Sequence, residues 1–126
     1  AIIIKGQGQV FSSGVDFNSL GSLVGRFMGD AAAGGSPIRS DIHKYQHFLN
    51  RLETIEIPII CAFHGAVFGM AMELALACDF RVMSEQAKMV QAYTSAGLSI
   101  DGGGAWTLPR LVGMARTSPK STNQRR

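Results

Sequence analysis

Two carboxylates stand out in this chain for their surroundings. Glu73 lies inside the apolar run IICAFHGAVFGMAMELALACD, which spans Ile59 to Asp79 and itself ends on an acid. Asp101 heads the turn Asp101-Gly102-Gly103-Gly104. Carboxyl groups are among the side chains that move protons, so both are candidates for chemistry. Each also has a structural reading. Glu73 falls where a helix start would favour an anion, and Asp101 is placed to cap the helix that follows. Asp79, ending its helix before a strand, reads as structural. A third candidate is the turn Ser12-Ser13-Gly14, read either as an ordinary turn or as a loop whose backbone N–H groups point at a ligand.

Other constellations carry less. His43 and His47 are four apart on one predicted helix and could share a metal, but no third ligand stands nearby. Gly6-Gln7-Gly8 lacks the third glycine of a dinucleotide fingerprint, since Phe11 occupies that place. Cys61 and Cys78 sit in apolar runs and read as buried, reduced thiols. The 126 residues fit one domain, and 46% apolar residues suffice for a core. The net charge of +3 conceals an uneven distribution. Four basic residues and no acid follow Met114, while residues 1–113 carry eight basic and nine acidic groups, a balance of −1. Basic stripes with interleaved aromatics are missing, so no nucleic-acid partner is expected. Ile57–Ala77 has the length of a membrane span, about 20 residues. Pro58, His64, Gly65, Gly69 and Glu73 interrupt it, and no membrane partner is expected. No signal peptide is visible.

The elements that must position these groups follow in order. Ala1-Ile2-Ile3-Ile4-Lys5 has no polar alternation and suits a strand buried on both faces. Val10–Phe17 reads as a short strand broken at Ser-Ser-Gly. Leu20–Ser40 is rich in glycine and reads as a loop or lid with one helical turn near Leu23–Met28. Asp41 is a plausible N-cap for an amphipathic helix carrying Ile42, Tyr45, Leu49, Leu52 and Ile55, ending near Glu56. Pro58 launches a strand over Ile59–Phe63, a turn follows Gly65, and Met70–Ala77 is composed of good helix formers. Phe80–Ser84 and Lys88–Gln91 read as strands, and Ala105–Val112 as a last helix. Residues 114–126 read as a basic, disordered tail. The recurring unit is strand, glycine turn, helix.

Three ordered stretches carry a family resemblance. Phe11-Ser12-Ser13-Gly14-Val15-Asp16-Phe17 resembles the first signature of the enoyl-CoA hydratase/isomerase (crotonase) superfamily. Pro58 through Asp79 resembles the second. Gly97–Gly104 with Leu108-Pro109-Arg110-Leu111-Val112-Gly113 resembles the third. The match covers residues 1–113, which resemble an incomplete family core. The resemblance implies an α/β, crotonase-like spiral of stacked β-β-α units.

It also implies a chemistry. A thioester acidifies the neighbouring C–H, and charge collects on its oxygen as an enolate forms. By motif matching, the backbone N–H groups of Ser13 and Met70 would form the oxyanion hole. Gly14, Asp16, Phe17, Gly69 and Tyr93 would contact substrate. Met70 and Ala71 replace two family glycines, and their Cβ atoms either crowd the thioester or require another backbone angle. Glu73 matches the first of two hydratase glutamates. The second position is Tyr93, whose reference pKa of about 10 makes a poor base at neutral pH. Asp101 matches the single proton-shuttling carboxylate of some enoyl-CoA isomerases. The resemblance thus implies an isomerase or hydratase using Glu73 and Asp101, or a catalytically inactive, truncated binding module. It further implies an acyl-CoA or enoyl-CoA thioester, no cofactor beyond the coenzyme A of the substrate, no metal, and a homo-oligomer (trimer or hexamer). The expected location is cytoplasmic, with an organellar matrix as the alternative.

Overall fold

The computed structural model describes residues 1–16, 18, 21, 25 and 37–117. Its elements are β1 (Ile2–Lys5), α1 (Pro37–Glu53), β2 (Ile59–Phe63), β3 (Ala66–Phe68), α2 (Met70–Ala77), β4 (Phe80–Met83) and β5 (Lys88–Val90). A 3₁₀ turn (Thr94–Ala96), α3 (Gly104–Val112) and α4 (Met114–Thr117) complete it.

The strands stack by repetition. β1, β2 and β4 form one parallel sheet in that order, and β3 pairs parallel with β5 in a second. Each β-β-α unit therefore gives one strand to each sheet, and the next unit lies alongside in register. Ser12 bridges Val67 in parallel, adding a single rung of the earlier unit to the second sheet. This repeat is the spiral that the resemblance implied.

The core lies on one face of the larger sheet. Ile59, Cys61 and Phe63 alternate inward along β2 and pack on Ala71, Met72, Ala75 and Leu76 of α2. A helix this apolar around its circumference belongs in an interior. Register places Ile3, Ile60 and Phe80 side by side on the opposite face, where Ile3 is 64% and Phe80 60% exposed. β1 is therefore not buried on both faces as its apolar run suggested. It is an edge strand of the described sheet, and side-chain hydrophobicity alone cannot say which faces find a cover.

Other differences are local. α1 starts at Pro37, whose fixed φ suits a first helical turn. Asp41 consequently lies inside the helix and pairs with Lys44 at 2.9 Å instead of capping. The helix ends at Glu53, three residues before the expected stop. Residues 114–117 are helical where the sequence reads as an aperiodic tail, and 118–126 lie outside the described residues. Most of the stretch Leu20–Ser40 also lies outside them, as does the turn expected near Leu23–Met28 apart from Gly25. Among the described residues no helix is long and apolar enough to cross a membrane. The stretch Ile57–Ala77 resolves into two strands and a helix. Cys61 and Cys78 are buried free thiols.

Candidate active site

The first half of the site is two turns pressed together. Ser12 is held by its bridge: its N–H donates to Ala66 O at 3.1 Å, and Phe68 N–H donates to Ser12 O at 3.1 Å. The Ser12 hydroxyl accepts the Gly14 N–H at 3.1 Å. Gly14 has φ 94°, and a Cβ there would lie 2.7 Å from Phe68 O and 3.6 Å from Met70 N. Only a glycine lets the 12–14 turn approach the 68–70 turn this closely.

Across from it, Gly69 takes the positive φ (53°) and its N–H donates to Val90 O at 3.0 Å. Its carbonyl receives Met72 N–H and Glu73 N–H and so starts α2. Met70 is the first helical residue, with no positive φ at any non-glycine position described. The Cβ atoms of Met70 and Ala71 therefore demand no unusual backbone angle, because Gly69 alone makes the bend. The first N–H groups of a helix lack intrahelical acceptors. Among the described residues neither the Met70 nor the Ser13 amide has a hydrogen-bond partner. A groove of about 460 Å³ opens beside these turns, lined by Phe11, Ser12, Gly14, Tyr45, Met70 and Leu74 among others.

The second half is built on α2 one turn later. Glu73 is 1% exposed. Tyr93 Oη donates to its Oε2 at 2.6 Å, and the Gly102 and Gly104 amides donate to Oε1 at 3.1 and 3.3 Å. Burial pushes the Glu73 carboxyl above its usual pKa; the three donors oppose that shift and the Asp101 charge adds to it. Burial and the Glu73 carboxylate push the Tyr93 phenol up. Asp101 faces a separate cavity of about 280 Å³ with Gln46, Asn50, Gly102 and Gly103. Its Oδ1 is buried without a hydrogen-bond partner among the described residues. The N-cap of α3 is Gly103 (φ 90°), so Asp101 does not cap that helix.

Tyr45 stands between the halves. It lines the larger groove, and its hydroxyl donates to Met70 O at 2.6 Å. Its ring lies 2.7 Å from where a Gly102 Cβ would be. Burial, then the Glu73 and Asp101 charges, raise its pKa.

The structure thus brings the Ser13–Gly14 and Gly69–Met70 turns together, and separately gathers Glu73, Tyr93 and the turn of Asp101. It does not place the two carboxylates in the groove. Tyr93 lines neither of these two cavities, and its hydroxyl donates to Glu73. Asp16 is exposed and accepts the Asn18 N–H at 3.1 Å, while Phe17 lies outside the described residues. Asp79 is structural in the geometry seen, accepting the Ile59 N–H at 2.8 Å. His43 and His47 are exposed, and no group of three or more potential metal ligands occurs among the described residues. Sequence reasoning overlooked Tyr45, Gln46 and Gln91. Gln46 holds Asp101 O at 2.6 Å, and both polar atoms of the Gln91 carboxamide are buried without a partner among the described residues. The helical period marked Tyr45 only as an apolar position, and nothing local marks the two glutamines.

Comparison with known proteins places this geometry. A sequence profile described as enoyl-CoA hydratase/isomerase matches residues 1–120. A Rhodobacter capsulatus protein called probable enoyl-CoA hydratase is 37% identical over 117 residues, which are 92% of this chain and 41% of that protein. The human mitochondrial Delta(3,5)-Delta(2,4)-dienoyl-CoA isomerase is 32% identical over 114 residues, covering 90% of this chain and 35% of that one. A Thermobifida fusca crystal structure in complex with acetoacetyl-CoA superposes with a TM-score of 0.75 at 34% identity, over 90% of this chain and 45% of that one. The chain spans about two fifths of the length of the curated relatives it matches. It belongs to the enoyl-CoA hydratase/isomerase family and has that family's crotonase-like α/β fold.

Proposed function

We propose that this chain carries the thioester-binding half-site of an acyl-CoA enzyme that stabilises an enolate, acting as an enoyl-CoA isomerase or hydratase. The observation that supports it best is the pair of abutting turns whose Ser13 and Met70 amides have no partner among the described residues, beside a groove. When a base removes the proton next to a thioester, the electron pair moves onto the carbonyl oxygen. Two preorganised N–H donors at that oxygen are worth about 3 kcal/mol each, by analogy with measured oxyanion holes. Glu73 and Asp101 are the acid–base candidates, one turn of α2 and one loop away. Gly14 shapes the groove, and Gly69 sets the bend that exposes the Met70 amide.

The substrate is an enoyl-CoA or acyl-CoA thioester, a reading favoured by the acetoacetyl-CoA bound in the Thermobifida fusca relative. Coenzyme A enters as part of the substrate, with no separate cofactor. Residues 1–113 form the working core and 114–126 an appendage. A homo-oligomer, trimer or hexamer, in the cytoplasm or an organellar matrix completes the proposal. The exposed Ile3 and Phe80 face favours association, because contiguous apolar surface seeks a cover.

The test is spectroscopic. The chain is incubated with 3-enoyl-CoA and with 2-enoyl-CoA while absorbance of the conjugated thioester is followed. Gain of absorbance with the first or loss with the second supports the proposal. No reaction with either, together with no CoA-ester binding by calorimetry, overturns it.

A further inference from the structure

Two nucleophiles take no part in the chemistry above. Cys61 and Cys78 are the only cysteines of the chain. They are 0% and 4% exposed, and both belong to the core cluster between the larger sheet and α2. Cys61 faces inward from β2, the central strand, in register with Arg81 of β4. Cys78 is the residue on which α2 ends, and its carbonyl holds the Arg81 guanidinium. The two thiols interact directly. Cys78 Sγ also donates to Leu74 O at 3.2 Å, which leaves its lone pairs to accept from Cys61.

The pair is not symmetrical. The Cys61 thiol is pushed up, first by its bond to Cys78 and then by burial. The Cys78 thiol is drawn down by that same bond, with the Arg81 charge helping and burial opposing. Access differs in the same sense. Asp79 and Phe80 beside Cys78 are exposed, whereas Cys61 lies in the middle of the central strand. A thiol that ionises more readily and lies nearer solvent, with a second thiol behind it, is how reactive and resolving cysteines are arranged.

We infer that Cys61 and Cys78 form a reversible dithiol–disulfide pair, oxidised by hydrogen peroxide, that staples β2 to the end of α2. The segment 61–78 contains the Gly69–Met70 turn and Glu73, so the staple closes a loop around that part of the chain. The Cys78 thiolate attacks one peroxide oxygen: an S–O bond forms, the O–O bond breaks, and the departing hydroxide takes the proton Cys78 released, giving water. The Cys61 sulfur then attacks Cys78 Sγ. The S–S bond forms, the S–O bond breaks, and the second hydroxide leaves with the Cys61 proton as water. Two thiols lose two electrons to the peroxide, and the net charge does not change. A neutral product suits an apolar core, where an unpaired charge is costly.

The experiment treats the full chain with hydrogen peroxide under native conditions, blocks the remaining thiols in denaturant and maps peptides by mass. With two cysteines in the chain, an internal disulfide can only join 61 to 78. The expected product is an intramolecular disulfide, lighter by two hydrogens, whose Tm is about 10 °C higher, as for closure of a loop of this order. Dithiothreitol is expected to restore the starting Tm. In Cys61→Ala, peroxide is expected to leave a sulfenic acid on Cys78 that dimedone traps. In Cys78→Ala, Cys61 is expected to stay unreacted over the same time. Thiols that remain reduced, disulfides that form only between chains, or a Tm that is unchanged or lower overturn the inference. Trapping at Cys61 as fast as at Cys78 does so too. Should a variant fail to fold, the unmodified chain decides by its disulfide and its Tm. None of these readouts uses a CoA ester, so their outcome is separate from that of the thioester reading.

Discussion

Two glycine-turn regions lie against helix α2, one made of the 12–14 and 69–70 turns and the other of the 102–104 turn, and they treat their backbone amides in opposite ways. At the 12–14 and 69–70 turns, the Ser13 and Met70 amides have no partner among the described residues and lie beside a groove of about 460 Å³. At the 102–104 turn, the Gly102 and Gly104 amides both donate to a fully buried Glu73. The chemical group is the same in both places. What differs is whether a side-chain acceptor reaches it first. A buried amide without a partner is costly, so a turn with an internal acceptor becomes structure. A turn without one keeps its donors for a ligand. Glycine serves both, by allowing close approach of Gly14 to Phe68 and of Gly102 to Glu73.

The comparison can be broken at either turn. The largest effect is expected from Gly14→Ala, which places a Cβ 2.7 Å from Phe68 O at a φ of 94°. Shifting the Ser13 amide should cost turnover about 10²-fold or more, the loss seen when one oxyanion donor is removed. Steady-state kinetics on enoyl-CoA check it, and an unchanged kcat would detach the first turn from the site. Gly102→Ala comes next and should act on stability. Its Cβ would overlap the Glu73 carboxylate and press on the Tyr45 ring, costing about 1–3 kcal/mol as overpacking does. Urea denaturation measures that loss, and a neutral result would mean the second turn is not held as tightly as its hydrogen bonds indicate.

The smallest expected effect is a pH dependence. Burial raises the Glu73 pKa in the folded protein above its ordinary value of 4.5. The folded state therefore holds that proton more tightly than the unfolded chain. The contribution is fully present below the unfolded pKa and is lost as pH rises through the folded one. Stability of the unmodified chain relative to Glu73→Gln should accordingly fall as pH rises above about 4.5. Denaturation of both proteins at matched pH values checks the sign; a difference that grows with pH would show that the three donors outweigh burial.

Much of this architecture is legible in sequence because its causes are local. The helical period of Ile42, Tyr45, Leu49 and Leu52 marks α1, and Pro58 marks the start of β2. The glycines at 65 and 69 mark the turns that separate β2, β3 and α2. Even so, Asp41 is not a cap, since Pro37 starts α1 earlier, and β1 is not buried on both faces. Both errors come from reading a segment without its neighbours. The candidate site divides in the same way. The Met70 amide is legible as a helix start, where donors are unpaired whatever the fold. The roles of Tyr93, Gln46 and Tyr45 are not, because each acts on a group 20 to 55 residues away.

By itself, then, the sequence determined the order of strand, turn and helix through side-chain type and short-range spacing, and the family and the two carboxylates worth attention through the motifs that resemble that family's. Tertiary structure decided that Glu73 receives three hydrogen bonds while Asp101 Oδ1 has no partner among the described residues. Local spacing is silent there, because hydrogen-bond saturation depends on donors that only folding brings within 3 Å of a buried acid.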